Sequence, residues 1–274
     1  MHIEISNDVE RNFSLQPIYR ENQEVVVTGI STPTYIRKTS TPILVFKQAD
    51  LQKSVASNIV DALSRVPGVS QLTTGPAISK PIIRGLGSNR VVVVNDGIRQ
   101  EGQQWGDEHG LEIDESSVNR VEILKGPSSL LYGSDALAGV IHFQTAPPVE
   151  EGTLKGKLVN GYQTNGGLTN THLQLGGNNK GLHWSGYGSM KSAGDYTNRY
   201  DGKVLNSRFN EFNAGGQVGV NRKWGYSNIS FSSFSQRLGV VEGERDDVTG
   251  QFLLFAGTPL ERIATSSDFS GRQV

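Results

Sequence analysis

The apolar positions of this 274-residue chain follow two rhythms, and the change from one to the other falls near residue 150. Before it come short runs dense in β-branched residues, among them Glu24-Val25-Val26-Val27-Thr28-Gly29 and Val91-Val92-Val93-Val94. Continuous apolar runs of this kind predict buried strands. One helical pattern interrupts them: Leu51, Val55, Ile59, Ala62, Leu63 and Val66 recur at spacings of three and four, and the pattern stops at Pro67-Gly68. A helix over roughly 49–66 is expected, with Ser57 as an internal N-cap and Ser54 or Ser57 as the place of any break.

Beyond Pro147-Pro148 the text alternates, as a strand with two different faces does. Leu173 and Leu175 oppose His172 and Gln174. Leu182, Trp184 and Met190 oppose His183, Ser185 and Ser189, and Phe212, Ala214, Val218 and Val220 oppose Glu211, Asn213, Gln217 and Asn221. With 153–162 before them and 226–236 after, five strands are predicted. Tight turns at Asn178-Asn179-Lys180 and Arg222-Lys223-Trp224-Gly225 join strands two to three and four to five, whereas a polar loop at about 191–209 separates three from four. Long loops on one side and short turns on the other, with Trp224 and Tyr226 at a strand end like an aromatic girdle, match an outer-membrane β-barrel. A water-soluble β-sandwich also alternates and also turns at Gly and Asn. Strand length favours the barrel, because these segments run nearer the ~9–11 residues of a membrane-crossing strand than the ~5–6 of a sandwich strand. Bacterial barrels begin at about eight strands, so five form part of one. The expected fold is an α+β domain followed by the first antiparallel strands of a transmembrane β-barrel, incomplete in this chain.

Composition removes several function classes. With 35% hydrophobic and 19% charged residues the chain has the material for a folded core, and no window reaches the ~18 apolar residues of a membrane-spanning helix. The 26 basic and 27 acidic residues nearly cancel, so no nucleic-acid footprint is present. Zero Cys excludes disulfides, thiolate metal sites and Cys nucleophiles together. Met1-His2-Ile3-Glu4 opens no signal peptide, so an exported protein would have its start upstream. Gly85-Leu86-Gly87-Ser88-Asn89-Arg90 lacks the third Gly of a dinucleotide fingerprint, and no Walker loop, HExxH or nucleophile elbow occurs. Neither an enzyme nor a cofactor is expected.

The first half contains, in order, Leu63-Ser64-Arg65-Val66-Pro67-Gly68-Val69, Ile82-Ile83-Arg84-Gly85, Val91 to Val94 running into Asn95-Asp96-Gly97, Val118-Asn119-Arg120-Val121-Glu122-Ile123-Leu124-Lys125-Gly126-Pro127, and Leu131-Tyr132-Gly133-Ser134-Asp135-Ala136-Leu137-Ala138-Gly139-Val140-Ile141. Asp96-Gly97 after four valines is a hairpin signal in its own right, since a type I′ turn needs positive φ at both central positions. Taken together these pieces resemble the plug domain of a TonB-dependent outer-membrane receptor. Two departures stand out: Ala138 sits where the family usually has a second Gly, and His142-Phe143 replaces the commoner Asn with an aliphatic residue. The resemblance implies three regions: 1–23 as the tail of a preceding domain or linker, 24–149 as the plug, and 150–274 as the first strands and loops of the barrel.

It also implies roles. Arg84, Arg120, Glu122 and Lys125 are charges inside apolar strand text and become candidates for docking the plug on the barrel wall; the bland reading is ordinary solvent-facing strand positions. Glu24, Val25, Val26, Val27 and Thr28 resemble the TonB box, which the energising TonB complex captures as an added strand; the bland reading is the plug's first strand. Trp105, Asp107, Glu108, His109, Glu112 and Asp114 form a candidate ligand- or metal-sensing segment, imidazole and carboxylates suiting zinc or a similar ion, and read otherwise as a solvated acidic loop. The implied function is active import across the bacterial outer membrane of a scarce nutrient, foremost a metal chelate such as a ferric siderophore, haem or zinc. The implied partners are the TonB complex, outer-membrane lipid and the metal-chelate ligand, with no nucleic acid. The alternatives are a non-metal cargo such as cobalamin or an oligosaccharide, and a non-transporting surface or adhesion β-protein.

Overall fold

The computed structural model describes residues 25–26, 34–35, 43–53, 56–104, 106, 109–199, 202–241, 245–251, 253–254 and 257–265. The chain divides into two units, 1–40 and 41–274. In the first, β1 (Val25–Val26) pairs antiparallel with β2 (Thr34–Tyr35), Val25 opposite Tyr35.

The second unit begins with β3 (Ile43–Lys47), α1 (Gln48–Gln52) and α2 (Ile59–Leu63). The predicted single helix is therefore two short ones. The second is capped by Asn58 and not by Ser57: the Asn58 side chain accepts from Asp61 N at 2.9 Å while its amide donates to Pro76 O and Ser79 Oγ, both at 3.0 Å. An asparagine that satisfies a helix start and a neighbouring hairpin together outcompetes the serine before it. The hairpin is β4 (Val69–Gly75) with β5 (Ile78–Ile83). Next come β6 (Val91–Asn95), β7 (Ile98–Gln100), β8 (Val118–Leu124) and β9 (Gly139–Thr145). With β3 they form a mixed five-stranded sheet in the order β3-β8-β9-β6-β7, β6 and β9 running parallel. One face packs Val91, Val93, Val121, Ile123, Ile141 and Phe143 on Leu51, Ile59, Val60 and Leu63 of the helices; the other buries Val92, Val94, Leu124 and Val140 against Ala136. Two covered faces explain the unbroken valine run.

The β6–β7 turn has φ +46° at Asp96 and +87° at Gly97, the predicted positive pair. Asp96 does more than turn the chain: its carboxylate accepts from the backbone N of Thr145 at 2.8 Å and from its hydroxyl at 2.9 Å, fastening the hairpin to the end of β9. Gly139 opens β9 at φ +151°, and a Cβ there would lie 2.5 Å from the Leu124 carbonyl oxygen.

A second sheet follows as an antiparallel meander: β10 (Leu154–Gln163), β11 (Leu168–Asn179), β12 (Leu182–Ala193), β15 (Phe209–Arg222) and β16 (Gly225–Leu238). The short pairs β13 (Thr197–Asn198) with β14 (Gly202–Lys203), and β17 (Leu253–Leu254) with β18 (Arg262–Ile263), lie in the connections. These are the five predicted strands, extended by a few residues at most of their ends. Lys180-Gly181 forms one tight turn with φ +50° and +76°. The apolar face is left bare: Leu158, Ile229 and Phe231 are 64%, 76% and 70% exposed. The polar face instead lies on the first sheet's domain and buries His172, His183, Lys191 and Glu211. A sandwich would bury the apolar face, so the alternation is that of a barrel wall with lipid outside and a polar lumen. Glycines serve this wall as room for aromatic neighbours: a Cβ at Gly215 would lie 2.6 Å from the Tyr187 ring of the adjacent strand. No described helix is long and apolar enough to cross a membrane.

Candidate functional site at the plug and wall interface

The densest chemistry lies where the turn before β8 meets the lumen face of the wall. Asp114 organises the turn: its Oδ1 accepts from Ser116 N at 2.9 Å and its carbonyl accepts from the Ser117 hydroxyl at 2.8 Å, an Asx turn. Gln48 of α1 donates to Ser116 O at 3.1 Å from behind. On the wall side Ser189 of β12 donates to Asp114 Oδ2 at 2.5 Å, and His172 Nδ1 of β11 stands 2.7 Å from the same hydroxyl. A serine with its one proton committed to a carboxylate accepts from imidazole, so the proton of His172 sits on Nδ1. The three residue types of a hydrolytic triad are present in the wrong order, because the imidazole does not serve as base to the serine.

Two residues along β12, Lys191 donates to Glu115 Oε2 at 2.5 Å and lies 3.6 Å from Glu211 Oε1 of β15. Glu211 also accepts from Asn213 at 2.6 Å and from Gln236 of β16 at 3.1 Å. Ligand oxygens of Asp114, Glu115 and Glu211 lie within 4.8 Å of one another, a grouping that suits a metal ion by distance. The Lys191 ammonium already supplies a cation inside it. Burial, outweighing the attraction of Lys191 and helped by repulsion from Glu211 and Asp114, pushes the Glu115 carboxyl up from 4.5 to about 7. Its side chain keeps 22% of its surface, facing a cavity of about 310 Å³ between α1 and β10–β12.

Further contacts between the domain and the wall are neutral: Gln163 donates to Ala56 O at 3.3 Å and Asn178 to Val149 O at 2.9 Å. A second cavity of about 480 Å³, lined by Asn58, Asp61, Gln71, Thr73, Asn165 and Tyr196, opens beside the β4–β5 hairpin.

Of the sensing segment, Trp105, Asp107 and Glu108 lie outside the described residues. His109 and Glu112 are exposed, while Asp114 is buried at the wall, where Glu115 and Glu211 complete its carboxylate group. Of the docking candidates, Arg120 pairs with Glu122 on their own strand at 2.8 Å, and Lys125 donates to Pro67 O at 2.7 Å. Burial first and the neighbouring Arg84 second hold the Lys125 ammonium below its ordinary value. Arg84 is exposed in a turn at φ +51°. In the box segment, Val25 and Val26 pair with β2, and Glu24, Val27 and Thr28 lie outside the described residues. Sequence reasoning missed Glu115, Lys191 and Glu211 as a set. The available signal was ionisable residues on the polar face of alternating strands, where a solvated lumen wall would carry neutral ones.

Residues 36–140 match the family described as TonB-dependent Receptor Plug Domain. The iron-regulated outer membrane virulence protein of Vibrio cholerae is 34% identical over 137 residues, 47% of this chain and 21% of that protein. The hemin receptor of Yersinia enterocolitica is 40% identical over 100 residues, 36% of this chain and 14% of the receptor. Among solved structures, the Serratia marcescens hemophore receptor HasR, in complex with its hemophore and heme, superposes with a TM-score of 0.65 at 22% identity, covering 73% of this chain and 32% of that one. The chain thus spans about a fifth of the first relative's length. A plug sheet seated on the polar face of an antiparallel wall, with these likenesses beside it, identifies residues 36–140 as a TonB-dependent receptor plug domain, followed in this chain by antiparallel wall strands in the fold of such receptors.

Proposed function

We propose that the protein takes part in TonB-dependent active import across the bacterial outer membrane, with a metal chelate as cargo. The observation that carries this reading is the wall's reversed polarity: its polar face holds the plug and its apolar face, Leu158 to Phe231, is bare. A surface adhesin needs no enclosed domain of this kind. Support for a metal chelate comes from the names of the relatives, a hemin receptor and a hemophore receptor with heme, and from the His109 segment on the plug. In this reading cargo binds above the plug, the box segment 24–28 is captured by the energising partner, and applied force rearranges the plug. Arg84, exposed on the plug, is the docking candidate free to meet further wall strands.

The test is Val26→Pro. Proline removes a backbone donor and interrupts strand addition by the partner. Uptake of the cargo should be lost while its binding, titrated on the same variant, stays normal. Normal uptake would reduce 24–28 to a structural strand.

A further inference from the structure

The lumen face of β11, β12 and β15 buries His172, His183, Lys191 and Glu211. His183 lies over Gly219, where a Cβ would be 2.4 Å from its Nε2, and fills space within the wall. His172, Lys191 and Glu211 instead converge on one plug turn.

We propose that the acidic turn 114–117 is a latch that seats the plug on the wall, and that Lys191 is the positioning residue that holds it. The polarity is acid from the plug and base from the wall. Ser189 and Lys191 stand two apart on one strand and so share a face, separated by roughly 7 Å. Asp114 takes the first and Glu115 the second, at 2.5 Å each. Two contacts at that spacing fix a register: a slip of the turn by one wall residue would present it with outward positions Met190 and Ser192. The bonds run on through Glu211 to Asn213 and Gln236, so the seat draws on four wall strands, His172 being the member from β11. Lys191 is 3% exposed and lies within ion-pair distance of both Glu115 and Glu211. Its removal leaves three carboxylates within 4.8 Å of one another in a buried interface, a far larger penalty than the loss of one surface pair. The latch is independent of the cargo.

Hydrogen exchange on the receptor in outer-membrane preparations tests this, reading segment 111–118 against the plug sheet. Lys191→Gln should lower the protection of 111–118 about a hundredfold, the effect of stranding buried charge, and leave β8–β9 protected. Lys191→Arg should hold most of the protection. Lys191→Gln combined with Glu115→Gln should be tighter than Lys191→Gln alone, because the surplus carboxylate is gone, a coupling that mere space-filling would not produce. Unchanged protection in Lys191→Gln, or additive loosening in the double variant, would overturn the latch. Should Lys191→Gln fail to assemble in the membrane, assembly of the double variant carries the same message, and its failure overturns the proposal.

Discussion

Docking of the plug on this wall should tighten as pH falls from about 8.5 to 6, with Glu115 as the group responsible. In the docked state burial raises its carboxyl from 4.5 to about 7; in a turn released to water the ordinary value returns. The docked form therefore binds a proton that the released form gives up, and docking is weakest above pH 7 and gains as pH falls through 7 toward 4.5. At 1.36 kcal/mol per unit the full difference is about 3 kcal/mol. Between pH 8.5 and 6 the reachable part is about 1.4 kcal/mol, a tenfold change in the opening equilibrium of the turn. Exchange protection of 111–118, corrected for the intrinsic pH dependence of exchange, reads this directly. Glu115→Gln should lose this gain toward low pH and be as tight as the parent at pH 6. Asp114, Lys191 and Glu211 face Glu115, and His172, Lys157 and Tyr187 face Asp114. His172 is the member whose ordinary titration falls in this window, so the parent slope must survive His172→Gln. A flat parent profile, or a slope that Glu115→Gln retains, would refute the reasoning.

Three further outcomes are expected. Gly139→Ala should destabilise the plug by about 3 kcal/mol or more, read by denaturant unfolding, because a Cβ at φ +151° meets the Leu124 carbonyl at 2.5 Å; a neutral result would mean β9 starts elsewhere. Leu173→Arg, on the bare face of β11, should cost about 2–4 kcal/mol for folding into lipid vesicles, whereas no cost would mean that face does not meet lipid. Neutralising His109 and Asp107 together should weaken cargo binding by at least ~1.4 kcal/mol, about tenfold, in calorimetry with zinc, haem and a ferric siderophore; unchanged affinity for all three would remove the sensing role.

The wall was legible because one physical demand repeats along it. The three middle strands are bare on one side and lie against a polar domain on the other, so Leu173, Trp184, Phe212 and Val218 alternate with His172, Ser185, Asn213 and Gln217. The plug's sheet was legible where burial on two faces leaves unbroken valines and where Asp96-Gly97 must take positive φ. What local pattern could not show is competition between neighbours in space. Asn58 wins the cap over Ser57 because Pro76 and Ser79, eighteen and more residues on, also bond it. Arg120 and Glu122 form an ion pair with each other, and that pairing on one face of a strand looks in sequence like two separate outward charges. The latch was hidden for the same reason. Asp114 was singled out for chemistry with the residues before it, whereas its partners Ser189 and His172 lie 75 and 58 residues later in sequence, and Lys191 fell where a loop was expected.

The kind of bond at this interface bears on how a plug could move at all. Inside the plug the contacts are apolar: Leu63, Ile83, Val121, Ile123 and Phe143 have essentially no exposure, and separating them would expose hydrocarbon to water at roughly 1.5–3 kcal/mol per side chain. Between plug and wall the contacts are amide, hydroxyl and ionic, as in Gln163 to Ala56, Asn178 to Val149 and the turn on Ser189 and Lys191. Water entering a parting interface replaces such bonds at a net cost of about 0.5–1.5 kcal/mol for a neutral one and more for a charged one. In the import proposed above, a pull transmitted through the chain would meet its weakest resistance along this polar seam, where the neutral bonds would yield first and the latch last. The plug's sheet, held by hydrocarbon, can stay folded while the seam opens, and the order of events is set by where the sequence places its charges.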